Sequence, residues 1–122
     1  MPRNMSFSIT TEQMRNRTKT VTRRLGWSFL KPGDVVNAVE KAMGLKPGEK
    51  IKRICQIRIL DVRREQLADM LDGVDYGFQE TTLEGFPEGT DKHWPSVFVD
   101  MFCRAMKCKP ETEVNRIAFE FV

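Results

Sequence analysis

A chain of 122 residues is long enough for one hydrophobic core and too short for two. A hydrophobic share of 40% against 30% charged residues excludes the disordered and fibrous classes. No apolar run approaches the roughly 18 residues of a membrane span, and Met1-Pro2-Arg3-Asn4-Met5 lacks the apolar stretch of a signal peptide. A single cytoplasmic domain over residues 1–122, a monomer or weak dimer without a membrane partner, is expected. Cys55, Cys103 and Cys108 make an odd count without the spacing of a disulfide scaffold, which agrees with a reducing compartment.

The net charge of +3 hides an asymmetry: residues 1–64 hold 15 Lys and Arg against 5 Asp and Glu, and residues 65–122 hold 5 against 12. A basic half points to a polyanionic partner, RNA, a nucleoside or a nucleotide, because Lys and Arg contacts to phosphate supply most nonspecific nucleic-acid affinity.

In chain order, Ile9-Thr10-Thr11-Glu12-Gln13-Met14 reads as a helix start, with Thr10 as N-cap, Gln13 closing a capping box, and Ile9 and Met14 as a hydrophobic staple. This helix is expected to end near Arg17 or Thr18. A strand from Lys19 to Leu25 follows, since Thr20, Val21 and Thr22 are β-branched. Alternation puts Thr20, Thr22 and Arg24 on one face and Lys19, Val21 and Arg23 on the other. Lys19 stands at the helix-to-strand junction, where its stem is free to swing toward Thr22. The ordinary alternative is an edge strand with a solvated face of Thr and Arg. Trp27 and Phe29 are expected to plug the barrel.

Leu30-Lys31-Pro32-Gly33-Asp34 and Leu45-Lys46-Pro47-Gly48-Glu49 each place Pro and Gly at the centre of a type II turn, and each introduces a strand. Those strands are Val35 to Val39, and Ile51 to Val62 with Cys55, Ile57 and Ile59 inward. Arg64 to Leu71 suits a short helix burying Leu67, Met70 and Leu71. From Asp72 to Lys92 periodicity disappears into a long acidic loop, read as a lid over the basic strand. Trp94, Val97, Phe98, Met101, Phe102 and Ala105 recur at helical spacing as the main core helix, with Pro95 tolerated in its first turn. Val114 to Val122 closes the fold as a strand. The order α, β, β, β, α, long loop, α, β suggests an α+β fold: a small, half-open, mostly antiparallel barrel with helices outside.

The catalytic motifs narrow by elimination. Cys103 and Cys108 lack zinc-site spacing, so no metal is expected, and Cys103 reads as a small buried residue. With His93 alone, read as a surface residue, and no Gly-x-Ser-x-Gly elbow, Ser-His-Asp catalysis has no support. No phosphate-binding glycine pattern appears, and no cofactor is expected. Lysine, threonine and a carboxylate remain. A lysine kept neutral by burial and by Arg23 and Arg24 can serve as base for a hydroxyl nucleophile, and a carboxylate can orient it or shuttle the proton. On these residues alone any acid of the loop would serve, and a plain surface salt bridge to Lys19 is the alternative.

The order and spacing of these pieces resemble the ASCH domain family, with its PUA-like β-barrel. The resemblance rests on the helix leading into Lys19-Thr20-Val21-Thr22-Arg23-Arg24, on Lys31-Pro32-Gly33-Asp34-Val35, on Glu84-Gly85-Phe86, and on Ile117-Ala118-Phe119-Glu120-Phe121. It covers nearly the whole chain, which is similar to small bacterial or phage members. The resemblance implies RNA binding, and for some members an amidohydrolase that removes the acetyl group of acetylcytidine. It carries the lysine onto Lys19 as base, the threonine onto Thr22 as nucleophile, the glutamate onto Glu84 as orienter or proton shuttle, and the arginine onto Arg24 as substrate clamp. Thr20, Arg23 and Arg17 are expected around the substrate. Glu80 and Glu88 lie a helical turn either side of Glu84 and are the alternative candidates for the functional acid. Arg17 stands where the small amidohydrolases carry glycine, and the Val39 to Lys50 segment is longer and lysine-rich, a possible strip for a nucleic-acid backbone. A noncatalytic RNA or modified-base reader and a ribonuclease are the alternative functions.

Overall fold

A computed structural model describes residues 2–122. In chain order it contains β1 (Asn4–Ser6), α1 (Thr11–Arg15), β2 (Val21–Arg24), β3 (Val35–Val39), β4 (Arg53–Gln66), α2 (Asp69–Asp72), α3 (Val74–Leu83), α4 (Pro95–Met106) and β5 (Glu113–Phe121). The strands form one sheet in the order β1-β3-β4-β5-β2; β1 runs parallel to β3 and the other neighbours are antiparallel. The α+β class and mostly antiparallel sheet agree with expectation. The sheet is mixed and does not close. Its first strand, three residues of Asn-Met-Ser, is too short to carry an alternation in sequence.

The two Pro-Gly turns are built alike. Asp34 N–H donates to Lys31 O at 3.0 Å and Glu49 N–H to Lys46 O at 2.9 Å. In each turn the closing carboxylate also accepts from the first backbone N–H, at 2.9 Å. Gly33 and Gly48 take φ of +95° and +84°, which glycine adopts without a Cβ clash. β3 runs over the expected residues.

β4 starts at Arg53 rather than Ile51 and runs past the expected end at Val62, because Arg63 to Gln66 continue the ladder opposite Arg116 to Glu113. Its register slips between Ile59 and Asp61, so Leu60 is the extra residue and is left half-exposed while Ile57 and Ile59 are buried. The helix expected over Arg64 to Leu71 shrinks to α2, with Leu67 and Met70 buried but Leu71 exposed. The capping box does not form: no side chain caps α1, and Ile9 is half-exposed above buried Met14. α1 ends at Arg15, where Arg17 turns into the left-handed region at φ +59°.

The main correction lies at 72–92. The expected loop is a ten-residue helix, α3, because its inner face is polar: Gly77, Glu80, Thr81 and Glu84 are buried at helical spacing. Hydrophobic periodicity cannot detect a face whose burial depends on partners elsewhere in the chain. α3 ends in a Schellman motif, with Phe86 N–H to Thr81 O at 2.9 Å and Gly85 N–H to Thr82 O at 3.0 Å around Gly85 at φ +103°.

Two apolar clusters flank this polar layer. One joins Met5, Phe7, Met14 and Leu30 to the sheet residues Val36, Ala38, Ile57, Ile59, Ile117 and Phe119. The other gathers Leu67, Met70, Phe86, Phe98, Val99, Phe102 and Val114. Trp27 packs against the first cluster as expected, whereas Phe29 is exposed with the Arg3 guanidinium 4.8 Å from its ring centroid. Trp94 and Val97, expected in the α4 core stripe, are exposed.

Candidate active site

The backbone of Lys19-Thr20 is held between two elements. Thr20 N–H donates to Leu83 O at the end of α3, and Thr20 O accepts from Phe119 N–H of β5 at 3.0 Å. Lys19 follows the end of α1, and Gly85 packs so closely that a Cβ there would lie 3.2 Å from Lys19 Cβ and 2.7 Å from Gln13 Cγ. The lysine stem therefore has one route, toward the C-cap of α3. There Nζ donates to Glu84 Oε1 at 2.5 Å and to Glu84 O at 3.0 Å, with both side chains at most 3% exposed. Burial lowers the proton affinity of Lys19; Glu84 opposes this, and Arg24 and Arg23 add to it.

Arg23 is wholly enclosed. Nη1 donates to Glu84 Oε2 at 2.9 Å, Nη2 to Glu80 Oε1 at 2.6 Å, and Nη2 and Nε to Glu65 Oε1 at 2.7 and 3.1 Å. Burial works against its charge, but Glu84, Glu65 and Glu80 outweigh it and raise its proton affinity. Arg116 of β5 holds Glu80 from the other side, at 2.5 and 3.0 Å. Burial alone would raise the Glu80 carboxyl, yet hydrogen bonds from Arg116 and Arg23 hold it below its usual range. Tyr76 closes the network by donating to Glu65 Oε2 at 2.7 Å while accepting from Arg63.

Arg24 lies on the other side of β2, its guanidinium 4.6 Å from the Phe7 ring centroid, with Nε donating to Thr22 Oγ1 at 3.1 Å. Burial pushes it down to about 10, with Glu84 pulling the other way, so it stays a cation at neutral pH. No carboxylate among the described residues pairs with it. An arginine N–H on a hydroxyl oxygen stabilises negative charge there and leaves the hydroxyl proton free for a base.

These residues line a cavity of about 190 Å³. Lys19, Thr22, Arg23, Arg24 and Glu84 form its polar part, Phe98, Met101, Phe102 and Met106 of α4 form an apolar wall, and Ser6 at the end of β1 with the following Phe7 to Thr10 borders it. The structure thus brings together Lys19, Thr22, Arg23, Arg24 and Glu84. Thr20 and Arg17 are outside the lining; the Arg17 guanidinium lies 5.2 Å from the Phe121 ring centroid. Glu88 is exposed near His93, so among the three candidate acids Glu84 is the one that reaches Lys19. His93 is partly buried, its Nδ1 3.1 Å from Phe86 O, rather than a surface residue. Cys103 is partly exposed rather than buried. Glu80, the alternative acid one turn before Glu84, bonds to Arg23 and Arg116 instead of Lys19. Glu65 and Arg116 escape sequence reasoning, because nothing local marks them as partners of Arg23 and Glu80.

No group of three or more potential metal ligands occurs among the described residues, and no helix there is long and apolar enough to cross a membrane.

The α+β fold, with its five strands in this order, is ASCH-like. Among solved structures, the chain is similar to an ASCH domain from Lactobacillus crispatus JV V101, at TM-score 0.56 and 15% identity, covering 97% of this chain and 77% of that one. It is also similar to a DUF984 protein from Enterococcus faecalis V583, at TM-score 0.63 and 15% identity, covering 100% and 80%. No family model and no curated protein matches the sequence.

Proposed function

We propose that the cavity takes a nucleoside, free or within RNA, and that Lys19, Thr22 and Glu84 hydrolyse the amide of an acetylcytidine-type substrate. The observation that carries this reading is the buried lysine with two hydrogen bonds, both to Glu84, in the same cavity as Thr22. A neutral amine has two N–H groups and one lone pair. Glu84 accepts from both N–H groups, so the lone pair remains for a proton.

In this reading Lys19 takes the Thr22 hydroxyl proton as Oγ1 bonds to the acetyl carbon, and Arg24 supports that oxygen. The carbonyl oxygen becomes an oxyanion, then re-forms the carbonyl as the C–N bond breaks. The leaving amine takes the proton from Lys19 and departs as cytidine. Water, deprotonated by the same lysine, then cleaves the Thr22 acetyl ester; Thr22 regains its proton and acetate leaves. Glu84 holds Nζ in place and balances the ammonium while it exists.

Incubation with acetylcytidine, followed chromatographically for cytidine, tests this. Wild-type protein should turn over, and Lys19→Ala and Thr22→Ala should each lose at least about 100-fold in rate, the usual contribution of a positioned general base. Unchanged rates in both variants defeat the reading.

A noncatalytic RNA reader is favoured by one further observation. Lys46, Lys50, Lys52 and Arg53 are exposed between β3 and the start of β4 and have no acid partner among the described residues. If they contact a strand backbone, log affinity should fall with log salt at a slope of about −0.7 per contact; salt-independent binding excludes that role.

A further inference from the structure

Around the cavity the buried charges balance in a particular way. Glu65, Glu80 and Glu84 pair with Arg23 and Arg116, and Arg24 stands on the cavity wall beside Thr22 without a carboxylate of its own among the described residues, so the set holds three carboxylates and three guanidiniums. The set is neutral while Lys19 is an uncharged amine; a proton on Lys19 leaves one uncompensated positive charge in a desolvated site, which is costly. The proton on Lys19 is therefore governed by the whole set as well as by Glu84.

The connections are specific. Glu84 divides its oxygens, Oε1 to Lys19 and Oε2 to Arg23. Arg23 divides its nitrogens among Glu84, Glu80 and Glu65. Glu80 divides its oxygens between Arg23 and Arg116, with Oε1 shared and Oε2 on Arg116 alone. Strength withdrawn at one link is redistributed to the next. The groups facing this chain from the packed elements are Arg24 of β2, Glu65 and Arg63 of β4, and Tyr76 of α3.

We propose that Glu80 and Arg116 are positioning residues for the Lys19–Glu84 pair: through Arg23 they set how strongly Glu84 is drawn from Lys19, and so whether Lys19 is free to accept a proton. This rests on the proposed role of Lys19 as base and extends it to two residues that do not touch Lys19. Removing the Glu80 charge leaves Arg23 under-compensated, strengthening its hold on Glu84 and its repulsion of a lysine proton. Removing the Arg116 charge frees Glu80 to compensate Arg23 fully, relaxing both effects. The two changes act on Lys19 with opposite sign.

The test is the Lys19 titration, followed by NMR of lysine labelled with ¹³C at Cε and assigned by the signal lost in Lys19→Arg. Glu80→Gln should shift the midpoint down from wild type, Arg116→Met should shift it up, and Arg116→Lys should restore it toward wild type. Should Glu80→Gln fail to fold, Glu65→Gln removes another of the three carboxylates on Arg23 and should shift the midpoint down. Shifts of one sign for both changes, or none, overturn the inference, because loosened packing has no reason to move the two in opposite directions. The readout needs no turnover. Opposite shifts without hydrolysis of acetylcytidine defeat the amidohydrolase reading and leave the positioning network standing.

Discussion

At the scale of single residues the proposed chemistry turns on Lys19. An ammonium buried beside two guanidiniums loses its proton below the ordinary 10.5, and Glu84 only partly offsets that. The sign follows: the unfolded chain binds the lysine proton more tightly, so the folded state gains stability as pH rises through the window below 10.5. In the proposed mechanism the active form is the neutral amine, so deacetylation should rise with pH along a limb whose midpoint lies below 10.5. In Lys19→Arg, whose guanidinium stays charged across that range, the limb should vanish; a limb that persists unchanged assigns the titration to another group. Lys19 and Thr22 were legible because they lie three residues apart in one β-branched stretch. The role of Arg23 was not. Alternation placed it opposite Thr22 and Arg24, but only the fold shows three carboxylates waiting on that side.

At the scale of elements, α3 and its C-cap build the site. The Schellman turn at Gly85 aims Glu84 at Lys19 and allows α1 and the lysine stem to approach. Gly85→Ala puts a Cβ into the left-handed region, at a cost of about 1–2 kcal/mol, and sets it against Gln13 and Lys19. The variant should show a lower urea midpoint and a larger proportional loss of kcat than of stability; wild-type kcat would mean that Lys19 does not depend on this contact. The apolar wall of α4 was legible from its spacing, although Phe98 and Phe102 serve both the second core cluster and the cavity. Truncating Phe98 to Ala should cost about 3–5 kcal/mol in chemical denaturation, as for other buried aromatics. α3 itself was illegible as a helix, because its buried side is made of Glu80, held by Arg23 of β2 and Arg116 of β5, Glu84, held by Lys19 and Arg23, and Thr81, which donates to His93 O.

For the molecule as a whole, the buried network ties the sheet to α3 and makes the fold acid-sensitive. Glu80 sits below its ordinary 4.5 in the folded state, so the unfolded chain binds its proton more tightly. That contribution is fully present above 4.5 and is lost as pH falls through the lowered folded value. Urea midpoints measured against pH should therefore fall steeply below 4.5 for the wild type and less steeply for Glu80→Gln; equal slopes would assign acid sensitivity to other groups. The same network recasts the charge asymmetry of the sequence. Arg23 from the basic half is matched by Glu65, Glu80 and Glu84 from the acidic half, so part of the imbalance is internal complementarity. Four of the cations without an acid partner among the described residues, Lys46, Lys50, Lys52 and Arg53, lie between β3 and the start of β4.

What the amino-acid order determined by itself is local. The turns at Lys31–Asp34 and Lys46–Glu49 follow from Pro-Gly and a closing carboxylate within four residues. β3, β5 and α4 follow from apolar periods of two and 3.6, and the resemblance to an ASCH-like fold follows from their order. The tertiary structure decided the open sheet, the helix within the acidic stretch, and the choice of Glu84 rather than Glu88 for Lys19. The helix and the choice of Glu84 depend on pairs 36 to 65 residues apart. Whether a glutamate can be buried is settled by the guanidinium that meets it after the chain has closed.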